Sequence, residues 1–239
     1  MENKIYGKNP VLEALNSDIS FNKILIAKDI HKDKKISKII SLAKEKGIVL
    51  RFVDKKIIDD EVKDNTQGVL GYISEIKYYE WDEIENVIDK KKDFIVILDH
   101  VQDPHNLGSA IRTCEFGGAK AVVIPKDRAS QVTSTVYKTS SGAVSYIPIV
   151  RATNINQFIR KLKESGWYIV GADLDTDNLY SEVDYKFPLA LVIGGEEGLH
   201  RLVRESCDIL VKIPKFGKVE SLNLSVALGI LIYKIREKI

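Results

Sequence analysis

Cysteine is nearly absent: the 239 residues contain two, Cys114 and Cys207. This excludes a disulfide framework and the Cys-rich spacing of a structural zinc site. Each lies in an apolar-periodic stretch, which predicts a small buried core residue for both. Long hydrophobic runs are missing as well. The longest, at 94–98 and 189–193, are strand-sized, whereas a membrane span needs about 20 apolar residues. The opening Met1-Glu2-Asn3-Lys4-Ile5-Tyr6-Gly7 lacks the charged-then-apolar plan of a secretion signal. A cytoplasmic chain with no membrane partner is expected. Charge is close to balanced, 36 basic residues against 34 acidic for a net of +2, so bulk charge alone does not argue for nucleic acid. Several chemistries are excluded by their missing signatures: there is no P-loop, no H-E-x-x-H, no G-x-S-x-G elbow and no G-x-G-x-x-G after a strand. No metal site is expected.

What remains is ordinary globular composition, 44% hydrophobic and 29% charged, in a chain long enough for one large domain or two modest ones. Residues 1–77 hold 15 Lys and Arg against 12 Asp and Glu, a net of +3, with Lys32, Lys34, Lys35 and Lys38 close together. Such a cluster can touch phosphates or simply solvate a helix face. The same stretch alternates element signals. A short helix opens at Asn9 or Pro10 and runs through Leu15, and a strand covers 23–27. Ile36, Ile39, Ile40 and Ala43 repeat at helical spacing over 35–46 before Gly47, and strands follow at 48–53 and 68–73. Aromatic and acidic residues over 78–92 then read as a linker containing a short helix. From 93 onward the α/β pattern strengthens, with strands at 94–98, 121–124, 146–150, 167–171, 189–193 and 209–213. Helices are expected near 106–117, at 154–165, and at the carboxyl end on Leu224, Leu228, Leu231 and Ile235. Strands alternating with helices imply a mainly parallel sheet covered on both faces.

In open parallel sheets, ligands bind at the carboxyl ends of strands. Three segments occupy such ends. The first, Asp99-His100-Val101-Gln102-Asp103-Pro104-His105-Asn106-Leu107-Gly108, leads from a buried strand into a helix whose apolar stripe is Leu107, Ala110, Ile111 and Cys114. Arg112 points roughly 150° away from that stripe, on the polar side with Asn106 and Ser109. An Asn and an Arg at a helix start suit an anionic or carbonyl-bearing ligand; Asn106 as a plain helix cap and Arg112 as a solvated side chain is the bland alternative. His105 reads as a loop residue rather than a base. The second segment, Ile193-Gly194-Gly195-Glu196-Glu197-Gly198, permits close backbone approach by a ligand, or is a tight strand-to-helix turn. The third runs from Ile213-Pro214 through Gly217 to Ser221-Leu222-Asn223, where Ser221 or Asn223 can cap the last helix.

Together and in this order, the three segments resemble the signature motifs of the SpoU (TrmH-type) family of RNA ribose methyltransferases. Asn106, Gly108 and Arg112 match the first motif, and Gly194, Glu196 and Gly198 the second. Pro214, Gly217, Ser221, Leu222, Asn223, Ser225 and Ala227 match the third. The second motif departs in one respect, being one residue shorter than the family's usual G-x-E-G-x-G. Lys138-Thr139-Ser140-Ser141-Gly142-Ala143 is similar to a family segment between the first and second motifs. Ile5-Tyr6-Gly7 with Val11, Glu13, Ala14 and Leu15, and then Thr66-Gln67-Gly68-Val69, looks like the subgroup carrying a small ribosomal-protein-like RNA-binding domain and methylating a guanosine ribose of 23S rRNA.

The resemblance implies an α/β fold in two parts: a ribosomal-protein-like domain over 1–77, a linker over 78–92, and a parallel-sheet domain over 93–239 tied in a deep trefoil knot, against the usual rule for chain connections. It implies S-adenosylmethionine as cofactor, held at Gly194, Gly198, Ile213, Leu222 and Asn223. It implies Arg112 as the residue that activates the hydroxyl, with Asn106, Glu196, Ser221 and Asn223 organising the pocket. RNA, rRNA foremost and not DNA, is the implied partner of a homodimer whose catalytic pocket spans the subunit interface. Removing residues 1–77 is expected to weaken RNA binding and spare cofactor binding. A tRNA-directed enzyme of the same family and a non-catalytic RNA-binding or ribosome-assembly factor are the competing readings.

Overall fold

A computed structural model describes residues 3–17, 19–73 and 77–239. Met1 and Glu2, on which the reading of the amino terminus partly rests, lie outside the described residues, as do positions 18 and 74–76 of the expected first domain. The chain forms two compact units: the residues up to Lys77 together with Val132–Tyr146, and Tyr78–Gln131 together with Ile147–Ile239.

The first unit is built on a mixed sheet of β1 (Asn3–Tyr6), β2 (Phe21–Ala27), β3 (Val49–Val53) and β4 (Val69–Ile73), in the order β1-β4-β2-β3. Strand β4 runs antiparallel to both neighbours, and β2 pairs β3 in parallel. Helix α1 spans Lys8–Asn16 and buries Val11, Leu12, Ala14 and Leu15. Helix α2 (Lys34–Glu45) buries Ile36, Ile39 and Ala43 at the expected spacing and is capped by Asp33, which accepts from the Ile36 backbone N–H. Strand β1 and the short α3 (Lys55–Glu61) were not legible from periodicity. In α3 only Ile58 is buried, so there is no repeat to see. Ile58 joins Tyr6, Leu25, Leu70 and Tyr72 in a small core.

The second unit carries a six-stranded, wholly parallel sheet in the order β10-β8-β9-β5-β6-β7. Its strands are β5 (Phe94–Asp99), β6 (Val122–Pro125), β7 (Ile149–Ala152), β8 (Tyr168–Ala172), β9 (Leu189–Gly194) and β10 (Ile209–Val211). Every residue of β5 and β9 is buried, as central strands covered on both faces require. The run expected at 146–150 is shifted, because Tyr146 closes a short 3-10 turn and β7 starts only after Pro148. The 78–92 stretch packs with this unit. Tyr79 donates its backbone N–H to Ile149, and α4 (Trp81–Glu85) buries Trp81 and Ile84. The Trp81 ring meets Phe158 and Trp167 edge-on at 5.2 and 5.5 Å, so an acidic, aromatic composition hid a core anchor. Cys114 is fully buried, and Cys207 is half-buried against the core. Burial pushes the Cys207 thiol up to about 12 and raises that of Cys114 further, which leaves neither as a nucleophile.

Helix α5 (Pro104–Phe116) follows β5. Between β6 and β7 the chain leaves the second unit and forms α6 (Ser134–Thr139). Lys138 of α6 pairs with Asp64 at 2.6 Å, and the Tyr146 hydroxyl donates to the Glu13 carboxylate of α1. The family-like segment 138–143 therefore belongs to the first unit. Helices α7 (Ile155–Glu164), α8 (Arg201–Ser206) and α9 (Leu224–Arg236) complete the second. Helix α9 lies along α5 in parallel: Gly229 approaches Thr113, and Ile232 occupies the space that Gly117 leaves open.

Candidate active site at the strand ends of the second unit

Strand β5 ends at Asp99, and His100 turns the chain with a φ of 57°. Asp103 then caps α5, accepting from the backbone N–H groups of His105 and Asn106 at 3.0 and 3.3 Å, with Pro104 in the first turn. Asn106 is thus not the cap. His105 sits exposed in the first turn of the helix. The Asn106 carbonyl oxygen accepts from the Asn223 amide at 3.2 Å. Asn223 is itself the cap of α9, its oxygen accepting from the Ser225 N–H and hydroxyl at 2.9 and 2.7 Å. That fixes its orientation, since only the amide nitrogen is then left to reach Asn106. Two helix starts are so joined side by side. Asp103 takes up the N–H groups of His105, Asn106 and Leu107, and Asn223 those of Ser225, Val226 and Ala227, so what the two starts offer an anionic group is the positive end of each dipole.

Strand β9 delivers the second segment. Gly195, Glu196, Glu197 and Gly198 make a tight turn closed by the Gly198 N–H on the Gly195 carbonyl at 3.1 Å, while Gly195 donates to the Asp99 carbonyl at 3.2 Å. The turn is four residues long, and both glutamates are exposed at its tip. Gly194 is buried directly beneath the turn.

A cluster that sequence reasoning missed stabilises the ends of these two strands. The Asp99 carboxylate is fully buried. It accepts from the His200 backbone N–H at 2.8 Å, contacts His200 Nδ1 at 3.1 Å, and contacts His100 Nδ1 through its other oxygen. The two imidazole centroids lie 4.0 Å apart. The ligand atoms of Asp99, His100 and His200 lie within 4.8 Å of one another, so they are close enough to share a metal ion. An aspartate closing an otherwise apolar strand was the available signal, because a buried carboxylate requires partners.

In the third segment Ile213 and Pro214 are half-buried, and everything from Lys215 to Asn223 is exposed. Phe216 is 94% and Leu222 50% exposed. Ser221 leaves the capping to Asn223. Arg112 stands exposed on α5. Among the described residues, no hydrogen bond or ion pair joins Arg112, Glu196 or Ser221 to the Asn106–Asn223 pair. The fold thus brings together Asn106 with Asn223 and Gly194 with Gly198, leaves Arg112, Glu196, Ser221 and Leu222 exposed, and half-buries Ile213.

The SpoU rRNA Methylase family model matches residues 93–233, and the model for RNA 2′-O ribose methyltransferase substrate binding matches residues 4–79. YacO of Bacillus subtilis (strain 168), a TrmH family tRNA/rRNA methyltransferase by name, is 42% identical over 237 residues, covering 98% of this chain and 95% of its own. The crystal structure of an AdoMet-bound rRNA methyltransferase from Sinorhizobium meliloti superposes with a TM-score of 0.82 at 27% identity, over 99% of this chain and 87% of that one. An RNA 2′-O ribose methyltransferase crystal structure gives 0.83 at 21% identity, over 98% and 88%, a likeness of fold.

Proposed function

The chain belongs to the SpoU family of RNA methyltransferases, and from that premise we propose that it methylates a ribose 2′-hydroxyl of RNA, a guanosine of 23S rRNA, in the cytosol. Its cofactor is S-adenosylmethionine, which supplies an electrophilic methyl carbon on a sulfonium. The donor set fits that molecule. A glycine-lined turn, the aliphatic Ile213 and Leu222 and the exposed backbone between them suit an adenosine, and paired helix starts suit a carboxylate. Gly194, Gly198, Ile213, Leu222 and Asn223 are assigned to holding it.

Transfer to a hydroxyl needs alignment and loss of one proton, and no metal. Holding reactants in line can supply roughly 7–11 kcal/mol of barrier reduction. A guanidinium is a poor literal base because it keeps its protons. Arg112 is therefore assigned to orienting the hydroxyl and an adjacent phosphate through its planar fork; the O–CH3 bond would form as the sulfonium S–CH3 bond breaks, with the hydroxyl proton passing to solvent water. Asn106, Glu196, Ser221 and Asn223 organise the pocket around it. The observation that carries this reading is the Asn106–Asn223 hydrogen bond, which couples the first family motif to the third at the strand ends where a parallel sheet binds its ligands.

Homodimerisation is part of the proposal. Phe116, Phe216, Val219, Val226 and Tyr233 are 49–94% exposed on α5, α9 and the loop before it, apolar side chains that a partner subunit would cover. A partner subunit across this surface would also bring a second Arg112 toward the pocket. A trefoil knot is proposed for the carboxyl end: β10 lies at the sheet edge beyond β8, yet the chain returns to lay α9 along α5 and β9.

Mapping ribose methylation by mass spectrometry in rRNA and tRNA from a deletion strain tests the target. A lost guanosine methyl in 23S rRNA is expected, and a lost tRNA methyl would instead select the tRNA-directed enzyme. Arg112→Lys should abolish most transfer while RNA still binds; near-normal turnover would remove the assigned role. The closed turn at Gly195–Gly198 favours one further reading, an RNA-binding assembly factor without catalysis. Calorimetry with S-adenosylmethionine separates the two, since only the enzyme binds it.

A further inference from the structure

Methyl transfer gives the Asp99–His100–His200 cluster no task. The Asp99 carboxylate is fully buried at the end of β5, and among the described residues no lysine or arginine pairs with it. Its ionic partners are the rings of His100 and His200. A buried carboxylate is tolerated when it is paired or coordinates a metal, and imidazole is the commonest metal ligand among side chains.

Both rings are aimed at the carboxylate. His100 stands in a left-handed turn, φ 57°, a conformation that glycine adopts at less cost, and its Nδ1 meets one carboxylate oxygen. His200 precedes α8 without capping it through its side chain, and its Nδ1 lies 3.1 Å from the other oxygen. Exposure rises from 0% for the Asp99 side chain to 29% for His100 and 50% for His200. The carboxylate is thus the floor of a small cup, and two imidazoles 4.0 Å apart are its rim. One ligand atom from each residue lies within 4.8 Å of the others. A tetrahedral ion with bonds of about 2.0–2.2 Å needs its ligands roughly 3.4 Å apart, a gap that rotation of two partly exposed rings can close.

We propose that Asp99, His100 and His200 form a binding site for a divalent ion of the zinc class, held by one carboxylate oxygen and one nitrogen of each ring, with water completing the tetrahedron. Two imidazoles and a single carboxylate suit zinc and its neighbours, whereas magnesium and calcium take sets of oxygen ligands. The ion is structural, and no step of methyl transfer passes through it. Asp99 already holds both ends of the second family segment: its carbonyl accepts from Gly195 at 3.2 Å and its carboxylate from the His200 N–H at 2.8 Å. Coordination of His200 and Asp99 by one ion pins the Gly195–Gly198 turn to the end of β5.

The test uses the full-length protein, stripped with a chelator, dialysed, and titrated with zinc chloride by calorimetry. A single equivalent should bind and raise the thermal midpoint, and magnesium chloride at the same concentration should do neither. Cobalt in place of zinc should develop the visible bands of a tetrahedral site; the spectrum of the free aqueous ion would overturn the proposal even if no variant folds. His100→Gln and His200→Gln should each weaken zinc at least tenfold, since loss of even an outer-shell partner costs about 10–100-fold. His105→Gln, at an exposed histidine outside the cluster, should bind zinc as the wild type does. Zinc should also slow hydrogen exchange at the Gly195, Gly198 and His200 amides. No uptake by the wild type, unchanged affinity in both ring variants, or an equal loss in His105→Gln overturns the site and leaves a hydrogen-bonded cluster only. Zinc that binds without slowing those amides overturns the pinning of the turn.

Discussion

Gly194→Ala and Gly198→Ala should both destabilise the protein, but only the first should weaken donor binding. A Cβ built on Gly194 would sit 1.9 Å from the Gly198 carbonyl oxygen, 2.1 Å from its carbon and 2.7 Å from the Leu199 nitrogen. All three are backbone atoms, so no flexible side chain can yield. The turn must lift off the end of β9 by more than an ångström, losing the Gly198-to-Gly195 hydrogen bond that closes it. Overpacking of this kind costs about 1–3 kcal/mol, and a collision with main chain belongs at the upper end. Gly198 differs. Nothing lies within 4 Å of a Cβ there, but its φ of +77° is a left-handed conformation that costs an L-residue about 1–2 kcal/mol. Alanine at 198 therefore strains the turn without moving it. Urea denaturation should show both losses. Calorimetry with S-adenosylmethionine should show at least tenfold weaker binding, about 1.4 kcal/mol, for Gly194→Ala and a near-normal constant for Gly198→Ala. Wild-type donor affinity in the Gly194 variant, or equal losses in both, would refute the idea that turn position rather than general stability governs the site.

Asp99→Asn keeps the shape of the buried side chain but can accept through one oxygen only, so its contact with either His100 or His200 is lost and urea denaturation should show a less stable fold; adding His200→Ala should recover part of the loss, and additive losses in denaturation would contradict the shared-carboxylate account. Asn223→Ala removes the α9 cap, worth about 1 kcal/mol, and frees Asn106, whereas Asn223→Ser restores the cap alone. If methyl transfer by the Ser variant equals wild type, the Asn106 contact has no catalytic role. The Asp64 carboxyl is held at about 2, below its ordinary 3.8, chiefly by the hydrogen bond from Lys138. A depressed carboxyl stabilises the fold above its unfolded value and loses that contribution as pH falls, so the α6 contact should weaken between pH 4 and 2. Asp64→Asn should flatten the stability profile in that window and slightly lower stability near neutrality, where the ionised carboxylate makes its contribution; an unchanged acid limb would contradict this. The pair is too exposed for a large effect.

Much of this architecture was legible because the elements that build the sheet announce themselves locally. The apolar runs of β5 and β9 and the stripes of α2, α7 and α9 need no partner to be recognised. What escaped has meaning only across the fold. Helices α3, α6 and α8 each run to seven residues or fewer, too short to establish a period. Asp99 looks like a stray charge until His200, 101 positions later, closes on it. Asn106 looks like a cap until Asn223, 117 positions later, claims its oxygen.

The same distinction decides how the RNA-binding part should be tested. Removing residues 1–77 was the natural truncation from the sequence, since composition changes there. The structure makes that cut unclean, because Lys138 and Tyr146 would lose Asp64 and Glu13, and Val136 and Tyr137, buried with the first unit, would be left bare. A truncated protein could then lose donor binding through a collapsed 132–146 excursion, and the loss would mimic a shared site. Charge-removing substitutions at exposed lysines such as Lys34 and Lys55 touch no buried surface, so they separate substrate grip from folding where deletion confounds them. The boundary that matters experimentally is therefore set by which side chains share a core, and here that core is assembled from two stretches of chain with β5, α5 and β6 of the second unit between them.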